Sequence, residues 1–186
     1  MSQFEYVAIP VSLILTFAVA RLLSGFPHVA MTGRAYWVHG LWCITAILNL
    51  FLFWWAFWNA SRVEEWTLGR YLWSLLYPAT CYVGATILVP SDASSEQSWH
   101  SYYYRIRKPL LATATVGTSS TLGTLALFDA APVWSPEVAV TLSFIALYVF
   151  GYMNASERVQ RTIVVLNFVA VVAAYAPLIW QPLPSH

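Results

Sequence analysis

The polar positions of this chain fall in short clusters, separated by long intervals with no charge at all. Runs without Asp, Glu, Lys or Arg cover 6–20, 35–61, 71–91, 109–128, 138–156 and 162–186, and five of them are 19 residues or longer. A helix rises about 1.5 Å per residue, so roughly 20 apolar residues cross the ~30 Å hydrocarbon core of a bilayer. The first run is shorter, and it reaches that length if Arg21 extends its head to the interface. Polarity does not alternate within the runs, which argues against barrel strands. In lipid, backbone groups must be paired inside their own segment, so the runs are predicted to be helices.

The pattern predicts six of them, at about 4–25, 36–59, 71–90, 109–128, 137–155 and 161–180. Gly25, Pro27 and Gly33 mark the first break, Pro90 closes the third helix, Pro109 opens the fourth, and Pro132 with Pro136 brackets the next turn. The expected fold is an all-α integral membrane protein. It is a six-transmembrane-helix bundle in a single membrane domain over 1–186, its first helix retained and not cleaved as a leader.

Composition strengthens this. Only 9% of residues are charged and 59% are apolar, where a soluble domain carries about 25% charge. A net charge of +1 points to no nucleic acid. The expected partners are the lipid bilayer and either further copies of the chain or a larger membrane complex. Lys and Arg near the span ends set orientation. Arg21, Arg34, Arg105, Arg107, Lys108, Arg158 and Arg161 gather on one side, against Arg62 and Arg70 on the other. Seven against two places the first group in the cytoplasm and both termini outside, in a membrane of the bacterial inner type.

Asn59-Ala60-Ser61-Arg62-Val63 after the second helix is echoed by Asn154-Ala155-Ser156-Glu157-Arg158-Val159 after the fifth. Tyr77-Pro78 and Tyr175 with Pro177 form a fainter pair. Two three-helix halves of opposite orientation would account for the echo.

Chemistry is sparse. No Asp, Glu or Lys lies near the centre of a predicted span, which argues against a carboxylate proton relay or a Schiff-base lysine. Arg21 is the deepest charge, a gate on the cytoplasmic side or a snorkelling anchor. In the fourth helix Thr113, Gly117, Ser120 and Thr124 share one face. Small residues and hydroxyls there suit close helix packing or the lining of a narrow wet path. Asn49 and Asn167 are isolated amides that need partners in a core of low dielectric. Thr113, Ser120, Thr124, Asn49 and Asn167 are therefore the candidate lining of a polar core.

Tryptophans favour the outer side: Trp54, Trp55, Trp58, Trp66, Trp73, Trp134 and Trp180, with Trp37, Trp42 and Trp99 toward the inner. An aromatic belt at headgroup depth explains most of them. Trp54, Trp55 and Trp58 are also the candidate wall of an outer aromatic pocket. The segment from Ser91 to Lys108 is expected to be the longest polar loop, its tyrosines and cations lying at the lipid surface. His28, His39, His100 and His186 make no metal or haem set, and only a His28–His39 pair is conceivable. Glu64, Glu65, Asp92 and Glu96 are expected to be solvated loop charges. Cys43 and Cys81 stand apart, in no ligand spacing. No metal, cofactor or enzymatic activity is expected, since no nucleophile elbow, zinc-protease or P-loop pattern occurs.

Three classes of function fit. The leading one is a channel or facilitator for a small neutral or weakly charged solute. The others are a sensory protein that binds a ligand in the outer Trp pocket, and an accessory subunit of a membrane complex.

Overall fold

A computed structural model describes residues 2–31, 35–63, 65–93, 96, 98–128, 132 and 135–179. Expectations for Arg34, Glu64, Trp134, Trp180 and His186 fall outside them. The described chain is all helical: α1 (Gln3–Met31), α2 (Trp37–Phe57) with a short 3-10 extension (Trp58–Arg62), α3 (Leu68–Leu88), α4 (Trp99–Leu127), α5 (Pro136–Met153) and α6 (Glu157–Leu178).

The helix starts follow local chemistry. Ser2 and Glu5 form a reciprocal capping box, Ser2 N donating to Glu5 Oε2 at 2.8 Å and Glu5 N to Ser2 Oγ at 3.2 Å. Thr67, Ser98 and Ser135 accept from the backbone N–H three residues on, at the starts of α3, α4 and α5. Pro136 occupies the first turn of α5, where its missing N–H costs nothing.

Two predicted breaks do not break. α1 continues through Gly25 and Pro27 to Met31. Gly25 lies on the stripe that begins Val7, Val11, Leu15, Ala18, Leu22, and a Cβ there would overlap Val89. This glycine permits a close approach and does not end the helix. Pro109 sits inside α4, which begins ten residues earlier at Trp99. Trp99, Tyr102, Tyr103 and Ile106 are buried at helical spacing, so the second half of the expected loop is a packed helical face.

Among the described residues, five helices are long and apolar enough to cross a membrane: α1, α2 with its extension, α4, α5 and α6. The sixth expected span, α3, is long enough at 21 residues. Arg70, Ser74, Tyr77, Pro78, Thr80 and Thr86 dilute its hydropathy. Its flanks are covered, because α3 packs along α1 on one side and α4 on the other. α4 continues onto α5, α6 packs on α2, and α2 closes the circuit against α1 while touching α3 and α4.

The two halves do not repeat each other's packing. α1 lies along α3, whereas α4 and α6 barely meet. The echoed segments also differ, one lying mainly in a 3-10 turn and the other running from a short linker into the first turn of α6.

Large apolar side chains cover the outside of the bundle: Ile9, Phe17, Leu72, Val140 and Val169 are each more than half exposed. Six of the seven cations expected on one side (Arg21, Arg105, Arg107, Lys108, Arg158, Arg161) lie toward the end where α3 and α5 finish and α4 and α6 begin.

Candidate functional site: a polar cavity closed at the basic end

Between the halves of α2, α3 and α4 remote from the basic end lies an open cavity of about 790 Å³. Arg62, Glu65, Trp66, Arg70 and Phe128 ring its mouth, with the Arg70 guanidinium 5.7 Å from the Phe128 ring. Below them its wall is Phe53, Phe57, Trp73, Thr121 and Thr124, and its deepest members are Asn49 and Tyr77. A second, smaller cavity of about 110 Å³ begins at the same two residues. Asn49, Tyr77, Thr113 and Asn167 all line it, and each stands near the midpoint of its own helix. Thr80, Cys81, Gly84, Gly117 and Thr118 also belong to its wall.

Small residues open this space. A Cβ on Gly117 would lie 2.8 Å from Thr80 Oγ1, and a Cβ on Gly123 would overlap the Trp73 ring. Trp73 is held there by its indole N–H, which donates to Ser120 O and Thr124 Oγ1, both at 3.2 Å. One flank of the fourth-helix face therefore packs α3, while the other borders the cavities.

The predicted lining divides accordingly. Asn49, Thr113 and Asn167 converge on the small cavity and Thr124 lines the large one. Ser120 lines neither: its buried hydroxyl donates to Gly117 O at 2.6 Å. Asn167 accepts from Tyr148 OH at 2.8 Å, which leaves its Nδ2 facing the cavity. The side chains of Asn49 and Thr113 make no hydrogen bond to the described residues.

On the basic side of the small cavity a chain of buried hydrogen bonds crosses the bundle. Trp42 Nε1 donates to Tyr103 OH at 3.3 Å, and Tyr103 OH donates to Gln160 Oε1 at 2.8 Å. Gln160 Nε2 then donates to Gly151 O at 2.9 Å and Asn154 O at 2.6 Å. The Arg107 guanidinium joins from the side, donating to Gly151 O, Tyr152 O and Asn154 O. The last carbonyls of a helix lack intrahelical donors and carry partial negative charge, so a cation at the end of α5 is well placed.

The end of α3 is capped in the same way from three other helices. Arg21 Nε donates to Val89 O at 3.1 Å, His39 Nε2 to Leu88 O at 3.0 Å, and Tyr102 OH to Ile87 O at 2.7 Å. Arg21 thus caps the end of α3, and it lines neither of these two cavities. His39 is fully buried, stacked on Trp99 at 5.0 Å, and its Nδ1 has no hydrogen-bond partner. Among the described residues no group of three or more His, Cys, Asp or Glu could hold a metal ion.

No family model, curated protein or solved structure matches the chain. Its function has to be read from this geometry.

The tryptophans sort differently from the expectation. Trp54 and Trp58 flank a groove of about 890 Å³ shared with the start of α1, and Trp55 is not part of its wall. Trp66 and Trp73, assigned to the belt, line the large cavity instead. Trp42 and Trp99 are buried among the helices. The sequence reading also missed Arg107, Gln160 and Tyr103. The available signal was the spacing of Tyr103 and Arg107, four residues apart on one helical face.

Proposed function

We propose that this protein is an integral membrane bundle that admits a small neutral or weakly charged solute from its outer side and releases it at the basic, cytoplasmic side. In this proposal α3 crosses the membrane with the other five helices, its polar side chains covered by α1, α2 and α4. Lipid, or further subunits, meets the apolar exterior. One observation carries it: the outer cavity and the mid-depth cavity meet at Asn49 and Tyr77, and a hydrogen-bonded plug lies directly beneath. Asn49 and Thr113 are half-buried polar side chains at the middle of apolar helices, where close apolar packing alone has no need of them. A path that carries a solute needs them, since hydroxyls and amides replace part of a hydration shell without imposing charge.

The plug is the gate in this scheme. Trp42 and Tyr103 fill the way down, and Gln160 ties them to the end of α5 and the start of α6. Purified protein in vesicles tests the proposal by stopped-flow light scattering. Solute entry above that of empty vesicles is expected, lost on Asn49→Leu and raised on Tyr103→Phe. Absence of entry in all three, with tryptophan fluorescence still responding to solute, would replace the conduit by a ligand-binding sensor.

A further inference from the structure

We propose that the mid-depth cavity is a recognition site for a small uncharged amide-type solute, one with a carbonyl acceptor and N–H donors on about four non-hydrogen atoms. This rests on the conduit described above and specifies what passes through it. The size limit comes from the volume. At about 110 Å³, against about 790 Å³ for the outer cavity, it suits a solute of a few non-hydrogen atoms better than a bulky one.

The chemistry comes from three side chains on three helices. Asn167 is 4% exposed, and its Oδ1 is already committed to Tyr148. Its Nδ2 therefore offers donors only, which call for a carbonyl. Asn49 and Thr113 make no hydrogen bond to the described protein, and both offer acceptors to N–H groups. A hydrocarbon solute would leave these groups unpaired, and a site built to pair with N–H and C=O rejects an analogue that lacks them.

Charge is excluded by the same wall. No Asp, Glu, Lys or Arg is among its lining residues, so an ion entering it would shed water without gaining a counter-charge.

The test compares urea and acetamide with their charged counterparts, guanidinium and acetate, in vesicles containing the full chain, with water permeability measured alongside. Above the rates of empty vesicles, urea and acetamide are expected to enter at least about tenfold faster than the charged pair, because an ion sheds its hydration there without gaining a counter-charge. Thr113→Val and Asn167→Leu are each expected to slow urea about tenfold on the same grounds, while water still passes. If Asn167→Leu does not assemble, the near-isosteric Thr113→Val decides alone. Guanidinium or acetate keeping pace with urea, or urea entry unaffected by the assembled variants, overturns the proposal. Water entry without amide entry overturns this selectivity and leaves the conduit standing. No entry of water or any solute removes the conduit as well.

Discussion

The hydroxyl of Tyr103 sits between Trp42 and Gln160, accepting from the indole at 3.3 Å and donating to the amide oxygen at 2.8 Å. One buried oxygen thereby links α2, α4 and α6 below the cavity. Removing it leaves an indole N–H and an amide oxygen unpaired in a dry site. Tyr103→Phe is expected to cost about 1–3 kcal/mol of stability and to raise solute entry several-fold. Thermal unfolding in detergent and vesicle flux measure the two effects. A variant as stable as the parent and no leakier would show that the link is dispensable.

Arg107 and Arg105 are two residues apart and have opposite expected weights. Arg107 is buried and donates to three carbonyls at the end of α5. Arg107→Met is expected to destabilise by about 3 kcal/mol or more, since hydrogen bonds to a charged group contribute about 1.5–3 kcal/mol each. Arg105 pairs with Glu96, but its side chain is 63% exposed. Arg105→Ala is expected to change stability by less than about 1 kcal/mol. Comparable losses in the two melts would refute the division.

Ser120 separates packing from lining. Its hydroxyl is spent on Gly117, and its carbonyl receives the Trp73 indole. Ser120→Leu is therefore expected to prevent assembly, where Thr113→Val blocks the solute and leaves the bundle intact. Gly123→Ala is expected to join the first class, because the added methyl meets the Trp73 ring. Gly40→Ala has open space around it and is expected to stabilise α2 by about 0.5–1 kcal/mol. Size-exclusion profiles in detergent distinguish these outcomes.

The helices were legible because bilayer-length uncharged runs leave little else for a chain to do, and the caps at Ser98 and Ser135 follow from local chemistry. Their ends were less so. Gly25 and Pro109 carry the residue types of a break, but Val89 and the buried face of Trp99, Tyr103 and Ile106 supply tertiary contacts that outweigh the local preference. Convergence of Asn49, Thr113 and Asn167 was nameable as residue types and not as a place, since the rotation of one helix against another is set by contacts remote in sequence. Arg107 shows the same limit. From sequence it is one of several interfacial cations, and only the approach of α5 turns it into a cap.

The outward face of α6 gives the sharpest test of the membrane environment. Val169 lies near the helix midpoint and is 55% exposed. In water, an exposed valine replaced by lysine would change stability little and would help solubility. At the centre of a bilayer the same ammonium costs about 2.5–3.5 kcal/mol by insertion measurements. Val169→Lys is therefore expected to lower the membrane-inserted yield sharply. Leu68→Lys, at a position 72% exposed on the first residue of α3, is expected to be tolerated at headgroup depth. Carbonate extraction of membranes expressing each variant reads the difference. Equal recovery of both, or release of the parent into the soluble fraction, would mean that the apolar exterior meets something other than lipid.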